Sequence, residues 1–233
     1  MFDYNMDVVG GRVPVLAAPL LERIRQLNRD YIELLLAERL LPAPAFSGEA
    51  LPNRLLDALA GLDVQARSAL AACAYSLFSP GFDDQRFWTA VLCETATAGL
   101  ASLADESVEA RYGALSAAPM QAAFCEVTLF AAWHTAHAHR VAVRFLFGMP
   151  AEVAAKFIEA PLWQLRRIAI DYPGLLTPRW PTNPAFWPDL VRFAAAGDTD
   201  RLRATQLLGS QLIASELDGT LPRVRRRLRL KRS

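Results

Sequence analysis

Three histidines crowd into the six residues HTAHAH, and His134, His137 and His139 are the first side chains in this chain that could do chemistry. On a helix, imidazoles three residues apart share a face and can serve as metal ligands or proton carriers. The other donors do not gather around them. Cys125 lies more than two helical turns earlier, and Cys73 and Cys93 are farther still. Three cysteines so widely spaced fit neither a cysteine-rich zinc site nor a disulfide framework. General acid–base work needs a second group in register, and none accompanies the histidines. Asp83-Asp84 reads as a turn or a helix cap, the two places where Asp is favoured. No phosphate-binding loop, dinucleotide fingerprint or nucleophile elbow occurs, and Gly10-Gly11 is an isolated pair. The chain is expected to be non-enzymatic, with no metal and no cofactor.

Binding chemistry is better represented. The segment LWQLRRIAIDY carries Gln164, Arg166 and Arg167, an amide and two cations of the kind that contact phosphates and base edges. Arg179 follows in LLTPRW. At the far end, RVRRRLRLKRS holds Arg223, Arg225, Arg226, Arg227, Arg229, Lys231 and Arg232, seven cations in eleven residues with no acid. Such a tail can neutralise nucleic-acid phosphate, lie on an anionic membrane surface or grip an acidic partner. With Val224, Leu228 and Leu230 interleaved, it can also form a short amphipathic helix on a partner. The net charge of +1 conceals this asymmetry, because without the tail 18 bases face 24 acids, or −6. The body is acidic; the tail is not.

The elements that must position these groups are helical. Of the 233 residues, 53% are hydrophobic and 21% charged, the composition of a core-forming protein. No apolar run approaches the roughly 20 residues of a membrane span, and the start MFDYNMD has no basic leader. A reducing cytoplasm is the expected location. Sliding the sequence on itself by 98 positions brings Leu77, Ser79, Pro80 and Phe82 onto Leu175, Thr177, Pro178 and Trp180. After one inserted residue, Phe87-Trp88 meets Phe186-Trp187. Upstream, Leu51-Pro52 falls on Met149-Pro150, and Leu70-Ala71 on Ile168-Ala169. The period is far longer than that of solenoid repeats, so the pattern is a duplicated unit.

The expected architecture is all-α: an N-terminal segment 1–19, a first helical unit 20–105, a connection 106–117, a second unit 118–217 and the basic tail 218–233. Each unit opens with a helix, marked in the first by Ile24, Leu27, Tyr31 and Leu34 at spacings of three and four. In the second, the apolar run FCEVTLFAAWHTAHAHRVAVRFLF is read as a largely buried helix. Pro52 or Pro150 then begins a short helix, where the missing N–H costs nothing. A break at Gly61 to Asp63, or at Pro161, leads to a third, so that each unit holds a helix-turn-helix-like pair. The proline-rich stretch ends that helix, and its aromatics fold back as core anchors or serve as a partner surface.

These residues resemble a known family. IRQLNRDYIELLLAERLL is similar to the first helix of the FlhD family of flagellar transcriptional regulators, with its Asn, its Tyr and a Leu-rich run closing on Ala, an acid, Arg and Leu. FLFGMPAEVAAKFIEAPLWQLRRIAIDYPGLLTPRW resembles that family's central segment without a gap, through Phe145, Gly148, Glu152, Ala154, Leu162, Gln164, Ala169, Arg179 and Trp180. The resemblance implies an all-helical regulator that dimerises, joins an FlhC-like companion protein and activates transcription from promoter DNA. This chain, about twice the family's length, would be a fused pseudo-dimer able to enter homo- or hetero-oligomers. A cytoplasmic adaptor or scaffold of a secretion or motility machine is the alternative. On the regulator reading, Gln164, Arg166, Arg167, Arg179 and the tail cations meet DNA.

Overall fold

Leucines and aromatics at helical spacing organise the chain into short helices around one core. The computed structural model describes residues 18–38, 51–93 and 119–217. Along these run α1 (Ala18–Glu38), α2 (Asn53–Ala60), α3 (Val64–Ala71), strand β1 (Phe78–Ser79) and α4 (Gln85–Cys93). After them come α5 (Pro119–Ala138), α6 (Arg140–Phe147), α7 (Ala151–Phe157) and α8 (Leu162–Asp171). A 3-10 turn (Pro173–Leu175), strand β2 (Thr177–Pro178), α9 (Phe186–Ala196) and α10 (Thr199–Leu217) complete the described residues. Among the described residues the fold is all-α apart from one two-stranded ribbon with two residues in each strand. The connection 106–117, the tail 218–233 and all but the last two residues of the segment 1–19 lie outside the described residues.

Local chemistry explains most boundaries. Pro52 and Pro150 stand at the N-caps of α2 and α7 in extended backbone, and Pro161 does the same for α8. Asp63 caps α3 by accepting from the Ala66 amide at 2.7 Å. Asp84 accepts from the Phe87 amide at 3.1 Å at the start of α4, and Asn183 accepts from the Phe186 amide at 2.9 Å in the turn that leads into α9. The apolar run of the second unit is not one helix. His139, at φ −150° and ψ 83°, separates α5 from α6.

On α1, Ile24, Leu27, Tyr31 and Leu34 are buried, and the opposite face is held by ion pairs. Arg29 donates to Glu22 at 2.8 Å, and that guanidinium holds the Glu22 carboxyl below its ordinary range. Asn28 is buried and fully used: it donates to the carbonyls of Ala71 and Tyr75 and accepts from the Leu77 amide.

The proline-rich stretches lie at the centre. Phe87, Trp88, Phe186 and Trp187 are all buried. Trp88 Nε1 donates to the Gly81 carbonyl at 3.0 Å, and Trp187 Nε1 to the Arg179 carbonyl at 2.6 Å. β1 and β2 pair antiparallel, Ser79 opposite Thr177 and Phe78 opposite Pro178. Helices from the two ends of the chain cross over. α4 packs on α7, and α9 packs on α2 and α3. Phe82 and Trp88 meet Phe157 at ring-centre distances of 5.4 and 5.6 Å, and Phe87 meets Tyr172 at 5.2 Å. Both ends thus contribute to one continuous apolar cluster.

Two thiols lie inside it. Burial pushes Cys73 and Cys125 up to about 12, because a thiolate cannot be solvated there. At pH 8 a thiol so shifted is ionised to only about one part in 10⁴, and the thiolate is the reactive form. Iodoacetamide followed by peptide mass spectrometry is expected to leave Cys73 and Cys125 unlabelled in the native protein and to modify both in urea. Native labelling of either would show that the core around it opens readily.

Candidate functional site

α8 turns two unlike faces outward and inward. Leu165, Ile168 and Ala169 are buried, on a helix that packs against α5. Trp163, Arg166, Arg167 and Ile170 follow the i, i+3, i+4, i+7 stripe of the opposite face. Trp163 is 55% exposed and Ile170 56%. The neighbouring helix α5 adds Met120 at 52% and Val127 at 53%.

The arginines between these apolar groups are on the surface but not idle. Arg166 Nε approaches Glu126 of α5 at 3.6 Å, and Arg167 Nε approaches Asp171 one turn on at 3.4 Å. Exposed pairs of this kind contribute about 0–1 kcal/mol, so they orient the side chains without locking them. Each guanidinium has five N–H donors and directs one nitrogen to a neighbour. Two orientable cations bracketed by Trp and Ile can bind.

The other sequence-nominated residues are distributed differently. Gln164 donates through Nε2 to the Val91 carbonyl at 2.5 Å, so its amide ties α8 to α4 and does not lie free on the outer stripe. Arg179 departs from the expectation of a DNA contact, since it is only 4% exposed. Its guanidinium sits directly over Gly148, whose φ of +67° and missing Cβ leave the space. Burial lowers the Arg179 pKa, an effect opposed chiefly by the nearby charge of Glu216. Nη1 is buried without a hydrogen-bond partner, and the side chain cannot reach a groove from this position. The tail cations Arg223 to Arg232 lie outside the described residues.

His134, His137 and His139 are exposed, and His137 Nδ1 lies 3.0 Å from the Trp133 carbonyl. Among the described residues no three His, Cys, Asp or Glu side chains come close enough to hold a metal ion. No described helix is long and apolar enough to cross a membrane.

Sequence reasoning found the α8 arginines and passed over Trp163, Ile170, Met120 and Val127. The spacing of 163, 166, 167 and 170 places them on one side of a helix, and that much was readable. Which side faces outward depends on α5, a helix that ends at Ala138, well before α8 begins at Leu162. Comparison of the chain with family models, with curated proteins and with solved structures gave no match.

Proposed function

We propose that the chain is a non-catalytic, FlhD-like regulator subunit, two fused units forming a pseudo-dimer that acts on DNA together with a partner protein in the cytoplasm. One observation carries the pseudo-dimer. Ser79 faces Thr177 in the ribbon, and the same two residues coincide when the sequence is slid by 98 positions. In an antiparallel pair a residue can face its own counterpart only on a local two-fold axis. The two tryptophan indoles donate to carbonyls that the same register makes equivalent, Gly81 and Arg179, and past the inserted residue Asp84 and Asn183 each accept from the amide three residues on. The crossed packing of α4 on α7 and of α9 on α2 is reciprocal, as a two-fold requires.

On this reading α2–α3 and α7–α8 are the helix-turn-helix-like pairs, and only the second is equipped with cations. Ser68 and Ala69 stand where α8 has Arg166 and Arg167. The basic tail supplies the remaining charge for phosphate. A second reading, a scaffold that binds proteins alone, is favoured by the ion pairs of both arginines and by the apolar residues flanking them.

Changing Arg166 and Arg167 together to Ala separates the two. Exposed substitutions usually shift stability by within about 0.5 kcal/mol, so the fold is expected to persist. With the native partner present, promoter affinity is expected to fall at least tenfold. If both arginines touch phosphate, the slope of log affinity against log salt drops by about 1.8 in magnitude; if they hold the partner, affinity falls with that slope unchanged and partner binding falls in parallel. Absence of any specific DNA complex in the parent protein rejects the regulator and leaves the scaffold.

A further inference from the structure

We infer that Arg179, Trp180 and Glu216 form a charge-dependent latch, which holds the last turn of α10 against the end of the ribbon and releases that turn alone when its anion is lost. The three side chains act in series. The Arg179 guanidinium carbon lies 5.5 Å from the centre of the Trp180 ring, and the indole N–H at the ring's edge donates to Glu216 Oε1 at 2.7 Å. A carboxylate on that N–H makes the ring face more negative, and a more negative face holds the cation better. Loss of the anion weakens both contacts.

Glu216 is the acid on which the latch depends. Arg179 is 4% exposed and burial disfavours its charge; among its neighbours Glu216 opposes this most, ahead of Tyr75 and Asp83. Asp83 is exposed, so water and salt screen it. Two strains press toward release. Trp180 has φ +50°, a left-handed backbone that bulky residues adopt only where their surroundings enforce it. Arg179 Nη1 is buried and has no hydrogen-bond partner, so contact with water would serve it better.

The surrounding contacts confine the movement. The Arg179 amide donates to the Leu77 carbonyl at 2.9 Å and its carbonyl accepts from Trp187 Nε1, so the end of the ribbon is fixed at both backbone groups. Earlier in α10, Gln206 donates through Nε2 to the Ala69 carbonyl at 3.0 Å, and its own carbonyl accepts from the Tyr75 hydroxyl at 2.8 Å. Ile213 is fully buried, which pins the helix up to that point. Beyond it Glu216 reaches across to Trp180, and helix ends are where local opening is easiest. In sequence, the seven cations from Arg223 to Arg232 follow. Four residues passing from helix, at about 1.5 Å each, to extended chain, at about 3.3 Å each, lengthen the tether of those cations by about 7 Å. The latch therefore sets how far they can reach.

The test uses phenylglyoxal, which modifies accessible guanidinium groups, and amide hydrogen exchange, both on the full chain. In the parent protein Arg179 is expected to react at under about one-tenth of the rate of the exposed Arg166. Glu216→Gln keeps an acceptor for the indole and removes the charge. It is expected to raise Arg179 labelling about tenfold and to speed exchange of amides 214–217 about tenfold, leaving 202–206 unchanged. Trp180→Phe keeps an aromatic ring and both charges but has no N–H, and it is expected to free the same four residues. Combining Arg179→Met with Glu216→Gln removes the cation that needs a counter-charge, so exchange is expected to return to within about threefold of the parent. An unchanged Glu216→Gln variant, acceleration along the whole of α10, or failure of that variant to fold would each overturn the latch. So would a double variant looser than Glu216→Gln alone, because Arg179 and Glu216 would then contribute by packing and not by charge. Arg179 labelled as fast as Arg166 in the parent would do the same.

Discussion

Trp187→Ala is expected to destabilise the protein by about 3–5 kcal/mol, the range for truncating a large aromatic in a packed core. The side chain is fully buried, its ring lies 5.9 Å from that of Phe186, and its indole N–H ends on the Arg179 carbonyl. Truncation leaves a cavity and also strands a buried carbonyl, whose lost partner adds about 1–3 kcal/mol if water cannot enter. In a protein of this size each kcal/mol moves the melting temperature by about 2–4 °C, so a fall of roughly 6–20 °C is anticipated in calorimetry. Trp163→Ala is the control, since an exposed tryptophan should move the midpoint by little. Equal effects from the two substitutions would mean that the proline-rich stretch does not anchor the core.

Gly209→Ala is expected to reverse the usual sign of its substitution. Inside a helix Ala is favoured over Gly by about 1 kcal/mol, and Gly209 lies in the middle of α10. Here a Cβ would land on the Tyr75 hydroxyl and lie 2.9 Å from Phe186 Cε2. Neither ring can retreat. Tyr75 is buried and donates to the Gln206 carbonyl at 2.8 Å, and Phe186 is wedged against Trp180 at 4.7 Å. Overpacking of this kind costs about 1–3 kcal/mol. Urea titration should show the loss, and Tyr75→Phe in the Gly209→Ala background should restore part of it by removing the clashing oxygen. A stabilised single variant would show that α10 is not seated against Tyr75 and Phe186.

Periodicity and punctuation revealed much of the fold. Ile24, Leu27, Tyr31 and Leu34 marked the buried face of α1, and Pro52, Pro150 and Pro161 marked three helix starts. These signals act within a few residues, which is why they can be read in one dimension. The break at His139 carries no glycine or proline, and nothing nearby announces it. Arg179 looked like a free cation because its burial depends on Gly148, thirty-one residues earlier in the chain. Gln164 looked like a base reader because its acceptor, the Val91 carbonyl, belongs to another helix entirely. For the candidate site the residue types were legible, and the direction in which each side chain is turned was not.

The crossing of α4 onto α7 and of α9 onto α2 and α3 bears on how the chain can be taken apart. A fragment ending near residue 105 would hold Phe87 and Trp88 without Phe157 and Tyr172 to receive them, and its complement would hold α9 with no α2 beneath it. Severing the 106–117 connection therefore yields two pieces that fold only on each other, a split protein whose reassembly depends on concentration. The unbroken chain escapes that dependence, because each piece carries its mate at a fixed effective concentration. What it gives up is speed, since the contacts that complete the core must wait for segments about 70–100 residues apart to meet.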